Sequence, residues 1–194
     1  MYQTLLRDSS FLALLLRFDQ DLAAQARQEG CRCGGTVHLA RYLRKPRGGP
    51  ESLGIEFRWR DSFCCSVEGC RKRLTPASLR FLGRKVFFSF WVLLLPVLRE
   101  GPHRQSLKRI QETLRVGPRT LRRWQRWWRE SVPQSRFWQA RRGDWALPVA
   151  GQDLPGSLVA AFGSVDEPAE RRVLDVLGWL APMSPGCRSG QPAF

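Results

Sequence analysis

Apolar residues along this chain recur mostly three or four positions apart, and in only one stretch do they alternate. Leu12, Leu15, Leu16 and Leu22 line one face of a helix over 10–29, with Asp19 the one acidic member of that face and Gly30 a natural stop. Ile55, Phe57 and Trp59 alternate with Glu56, Arg58 and Arg60, which predicts a half-buried strand. Gly34-Gly35 and Gly48-Gly49-Pro50 mark turns between short strands. Thr75 and Pro76 suit the cap and first position of a helix. Val86 to Leu98 is a mostly apolar run of thirteen residues with Pro96 inside it. A membrane-spanning helix needs about 20 residues, so this run predicts a buried helix, ended by Gly101-Pro102.

The next segment has the pattern of a helix-turn-helix. Leu107, Ile110 and Leu114 share one face of a first helix, and Arg115-Val116-Gly117 makes a short turn. Leu121, Trp124 and Trp128 then share one face of a second helix, at i, i+3 and i+7. This spacing puts the tryptophans in a core rather than on a base-stacking surface. Beyond Val132-Pro133, Leu154 to Phe162 and Ala169 to Leu180 read as short helices, and 182–194 as a disordered tail. The segments are therefore a helix within 1–30, a cysteine-bearing module at 31–85, a helix-turn-helix region at 86–145, packing helices at 146–181 and the tail. The predicted fold is α+β, mainly α: a small zinc-ribbon-like β module packed against a helix-turn-helix helical region.

Charge gives this frame a direction. The 194 residues carry a net charge of +15, and it is unevenly spread. In 31–98 thirteen Lys/Arg face four Asp/Glu, and in 99–142 thirteen face three, whereas both ends of the chain are slightly acidic. A folded chain of this kind repels itself, and a polyanion is the expected partner.

Of the six cysteines, Cys31, Cys33, Cys64, Cys65 and Cys70 cluster, and Cys187 stands alone in the tail with no assigned role. Phe11 to Leu16 is too short and too closely followed by Arg17, Asp19 and Asp21 to read as a secretory leader. A reducing, cytoplasmic location is expected, which favours metal over disulfides. Two cysteine pairs on tight, glycine-bearing turns supply the four soft ligands that tetrahedral zinc takes. Cys31, Cys33, Cys65 and Cys70 are the expected ligands. Cys65 is preferred to Cys64 because it shares a strand face with Phe63, and His38 is a possible substitute. Four protein ligands leave no place for water, so the zinc would be structural.

The candidate nucleic-acid contacts lie on the second helix. Arg119, Thr120 and Arg123 stand towards its N-terminal end, where base edges are read, while Arg122, Arg126 and Arg129 suit phosphate. Arg44, Lys45 and Arg47 form a second basic cluster. Arg71, Lys72 and Arg73, with Arg80, Arg84 and Lys85, form a third beside the cysteines.

Five stretches carry a family resemblance: Cys31-Arg32-Cys33-Gly34-Gly35; Arg44 to Gly48; Ser62-Phe63-Cys64-Cys65; Gly69-Cys70 to Pro76; and Arg80 to Val86. Together they resemble the zinc-ribbon plus helix-turn-helix N-terminal portions of insertion-sequence transposases and small bacterial proteins like them. The resemblance implies double-stranded DNA binding in a mobile-element setting, with a transposase or another mobile-element protein as a possible partner. It implies no catalytic residue, since the acidic catalytic domain of a transposase has no counterpart here. No spaced carboxylate set or phosphate-cradling glycine loop is visible either, so an enzyme is not expected. An RNA-binding zinc protein and a protein-interaction module using 154–180 are the alternative readings.

Overall fold

The computed structural model describes residues 2–47, 53–83, 85–100, 104–144, 151–163 and 166–184. Most of them are helical, and two small antiparallel sheets lie near the cysteines. The mainly helical α+β class expected from the sequence is the one observed. None of the helices among the described residues is long and apolar enough to cross a membrane.

A short helix α1 (Tyr2–Leu5) precedes α2 (Ser9–Glu29). Asp8 caps α2, its carboxylate accepting the Ser10 amide at 2.8 Å. Gly30 ends it with φ of 69°, a conformation that only glycine adopts without steric cost, and turns the chain straight into Cys31. The strands follow: β1 (Val37–Leu39), β2 (Tyr42–Leu43), β3 (Trp59–Arg60), β4 (Phe63–Cys65) and β5 (Arg73–Leu74). One sheet has the order β1-β4-β5, with Val37 opposite Cys65 and Cys64 opposite Arg73; the other pairs β2 with β3.

Two expectations fail in this region. Ile55–Arg58 is a turn of 3₁₀-helix, and only Trp59–Arg60 is strand. The Phe57 and Trp59 carbonyls, which a longer strand would offer to a neighbour, are taken by the Arg80 guanidinium at 2.8 and 2.9 Å. Thr75-Pro76 opens no helix. The Pro76 and Ala77 carbonyls accept instead from the buried Arg60, and the Leu79 amide goes to Asp19.

The helical part is built around α3 (Ser89–Glu100), whose residues Phe90 to Pro96 are all buried. It starts three residues later than the apolar run suggests. Helices α4 (Arg104–Thr113) and α5 (Pro118–Arg126) follow and pack on it. A turn of π-helix at Trp127–Ser131 leads into α6 (Val132–Gln134) and α7 (Arg136–Arg141). Pro133 cannot donate to the carbonyl four residues back, and its ring crowds that carbonyl; the widened turn before it relieves both problems. Two more helices, α8 (Gly156–Ala161) and α9 (Ala169–Leu180), close over this core. Of the expected tail, Pro182 to Ser184 are ordered against the core, and 185–194 lie outside the described residues.

There are two apolar cores. The large one joins α1, the first half of α2 and α3 through α9. The small one comprises Ala23, Val37 and Phe63, with Ala26, Cys31 and Leu74 against them. Helix α2 belongs to both, and between its two apolar stretches it carries buried Asp19.

Candidate metal centre and basic helix face

The two cysteine turns meet because β1 and β4 pair in the register that sets Val37 opposite Cys65. In the first turn the Gly34 amide returns to the Cys31 carbonyl at 2.8 Å and the Cys31 amide to the Gly35 carbonyl at 3.1 Å. In the second, the Cys70 amide returns to the Val67 carbonyl at 3.1 Å. Gly34 and Gly69 sit at φ of 81° and 86°, which the tightness of each turn demands. Gly35 has a different reason: a Cβ there would lie 2.5 Å from the Val67 side chain and 2.9 Å from the Cys65 sulfur.

The result is a cluster of four sulfurs, those of Cys31, Cys33, Cys65 and Cys70, all within 4.8 Å of one another. Cys31 and Cys70 are 3.7 Å apart, and Cys33 and Cys65 are 3.5 Å apart. A tetrahedral ion with metal–sulfur bonds of about 2.3 Å sets its sulfurs about 3.8 Å apart. The four cysteines thus lie where they could hold a metal ion. Cys64 points away from them, its sulfur 3.7 Å from the Arg71 carbonyl. His38, opposite Cys64 in β1, is exposed and outside the cluster.

The electrostatics of the thiols favour an ion. Cys33, Cys65 and Cys70 each face the amide two residues ahead, those of Gly35, Val67 and Lys72. The Gly35 amide and the neighbouring thiols hold Cys33 down at about 7. The Val67 amide pulls Cys65 the same way, but burial and the other three sulfurs outweigh it and push that thiol up to about 12. Cys70 is also raised: the Lys72 amide draws it down, while the Cys33 sulfur and burial prevail. One negative charge is readily held here and further ones are not, unless a cation sits among them.

On the helical side, α5 and the π-helical turn after it divide cleanly. Leu121, Trp124 and Trp128 are buried, whereas Arg119, Arg122, Arg123, Arg126 and Arg129 are exposed and Thr120 is half-buried. Arg126 reaches Glu130 at 4.0 Å, an exposed pair that holds it only loosely. Ile110, Leu114 and Val116 are buried in the preceding helix and turn; the side chain of Leu107 lies outside the described residues. The left-handed residue of the turn is Arg115, at φ of 53°, and Gly117 caps α5 in an extended conformation.

The other basic clusters divide between surface and interior. Lys45 and Arg47 are exposed, but Arg44 is half-buried: its guanidinium donates to the carbonyls of Gly83 and Lys85 and lies 4.9 Å over the Phe81 ring. Arg80 is 1% exposed and paired with Asp19, so it is a structural residue and no part of a surface. Arg71, Lys72 and Arg73 are exposed beside the metal centre. Arg84 and the glycine loop at 48–50 lie outside the described residues. Sequence reasoning gave Lys85 no specific role. It is half-buried with its Nζ 4.1 Å over the Trp127 ring, a placement that only the fold reveals.

The chain matches no protein-family model, no curated protein and no solved structure.

Proposed function

We propose that this protein binds double-stranded DNA, with Cys31, Cys33, Cys65 and Cys70 holding a structural zinc ion and α5 entering the major groove. The observation that carries the reading is the division of α5 and the π-helical turn after it: Arg119, Arg122, Arg123, Arg126 and Arg129 on the solvent side, and Leu121, Trp124 and Trp128 buried behind them. A face with this many exposed guanidinium groups draws an anion towards it. The helix is also a full support for such a face, since its far side is anchored by tryptophan rather than by other charges.

In this reading Arg119 and Thr120 stand at the end of the helix that meets base edges, and Arg122 and Arg126 grip phosphate. Lys45 and Arg47 extend the positive surface on the side of the metal module. Zinc is the ion of choice because a closed set of four cysteines is its usual structural site, and no fifth position is left for chemistry. Iron would fit four thiolates as well, and a colourless protein with one equivalent of metal distinguishes the two. The likeness to transposase N-terminal portions makes the ends of mobile elements the first DNA to try.

The test is binding of the metal-loaded protein to duplex DNA across a salt series. Four phosphate contacts, from Arg122, Arg126, Lys45 and Arg47, predict a log–log slope of roughly −4. Absence of binding, or a slope near zero, would sink the proposal. Structured RNA outcompeting duplex DNA at equal length would reassign the same surface to RNA.

A further inference from the structure

We infer that Lys85, Arg123 and the Trp127 ring form a docking site for one phosphate group, at the seam between the cysteine module and α5. The nucleic-acid backbone is the source that fits the proposed function, and the inference rests on that reading for its source only.

The geometry begins with the segment around Lys85. Arg44 donates to the carbonyls of both Gly83 and Lys85, and the Arg47 amide donates to the Val86 carbonyl at 2.6 Å. These bonds strap the 44–47 segment to the 83–86 segment and fix the backbone from which Lys85 projects. Its stem runs across the seam and its Nζ comes to rest 4.1 Å over the Trp127 ring. Trp127 is held in turn by an edge contact with buried Trp128, ring centroids 4.8 Å apart. Lysine, ring and backbone are thus all positioned before any ligand arrives.

Among the described residues this position has no counter-charge in contact with it. A half-buried ammonium normally sits beside a carboxylate. Among the described residues no carboxylate pairs with Lys85 or Arg123. Burial first, and the like-charged Arg123 guanidinium second, bring the Lys85 ammonium down to about 8 from its usual 10.5. Arg123 stands four residues before Trp127, one helical turn away on the same side of the chain. Two cations at an aromatic wall, with no acid paired to them among the described residues, are what a phosphate would complete. The ammonium offers a compact point charge and the guanidinium a planar fork. Arg123 accordingly moves from the base-reading set expected from the sequence to the phosphate-gripping set.

The experiment has two arms. In the first, inorganic phosphate is titrated into the metal-loaded protein at constant ionic strength while the indole N–H resonances are followed, with Trp127 assigned by Trp127→Phe. The expected result is a saturable shift of the Trp127 signal that chloride does not produce and that Lys85→Met abolishes. In the second arm, Lys85→Met should lower the magnitude of the log–log salt slope for duplex DNA by about 0.9, the share of one phosphate. Arg123→Gln, at an exposed position, carries both arms if Lys85→Met does not fold. A phosphate shift without DNA binding keeps the site and discards the DNA reading. Normal DNA binding with no phosphate shift and an unchanged slope in both variants discards the site and keeps the DNA reading.

Discussion

The indole N–H of Trp128 donates to the main-chain carbonyl of Val92 at 2.9 Å, the carbonyl that Pro96 leaves without a partner inside α3. Proline four residues on has no amide to return, and a buried carbonyl left alone is costly. A side chain from the π-helical turn after α5 supplies the missing donor.

Trp128→Phe should therefore destabilise the fold by about 1–3 kcal/mol through the lost bond, in addition to any packing loss. The cost should shrink by about 1 kcal/mol when Pro96→Ala restores an amide to α3. Urea unfolding of the two single variants and the double variant measures the coupling. Equal costs in both backgrounds would show that the hydrogen bond is not what the indole provides.

The Arg80–Asp19 pair predicts a larger effect. Its two side chains are 1% and 2% exposed, and the Arg80 Nε donates to Asp19 at 2.8 Å. Asp19 also accepts from the Ser78 hydroxyl and the Leu79 amide, at 2.5 and 2.6 Å. Asp19→Ala strands a buried guanidinium and should cost about 3–5 kcal/mol by thermal or urea unfolding. A loss below about 1 kcal/mol would mean that water reaches the pair.

These two contacts also mark where the sequence stops being informative. The buried face of α5 was readable from the spacing of Leu121, Trp124 and Trp128, because a helix repeats its own period. The choice of Cys65 over Cys64 followed from strand alternation, and the structure brings Cys31, Cys33, Cys65 and Cys70 together. Asp19 stood out only as a flaw in an apolar face. Its partner is 61 residues away, so nothing local distinguishes Arg80 from the surface arginines around it. The alternation at 55–60 misled for the same reason. A distant guanidinium took the carbonyls that a strand would have used.

Metal content should follow the geometry of the cluster. Cys33→Ser, Cys65→Ser and Cys70→Ser should each lose bound metal, while Cys64→Ser should retain it. Gly35→Ala should behave like a ligand variant, because its methyl group would collide with Val67 and the Cys65 sulfur. Metal analysis of the purified proteins decides this, and retention of a full equivalent by Gly35→Ala would refute the packing account.

If α5 enters the major groove as proposed, the effects of substitutions along it differ by position. Arg119→Ala should cost about 1–3 kcal/mol at one base position and little elsewhere. Arg126→Ala should weaken binding to every sequence alike and lower the salt dependence. Binding to a panel of single-base variants separates the two patterns, and identical profiles would mean that the register assigned to this helix is wrong.

Lys85 gives a pH dependence with a definite sign. The folded protein releases its proton at about 8, and the unfolded chain keeps one to 10.5. Between these values the unfolded state binds more protons, so this group's contribution to stability rises with pH and is least favourable below 8. Lys85→Met should gain stability over the native protein at about pH 7, and the gain should shrink by about pH 9.5. A constant difference across that range would exclude the burial effect.

Helix α2 meets the large core first, then the Asp19 pair, then the small core, and ends two residues before Cys31, the first cysteine of the cluster. One unbroken helix thus links the four-cysteine end of the described structure to its large helical core. Whatever surface the two ends form together is set at one spacing before any partner arrives, so ordering it on contact costs little entropy.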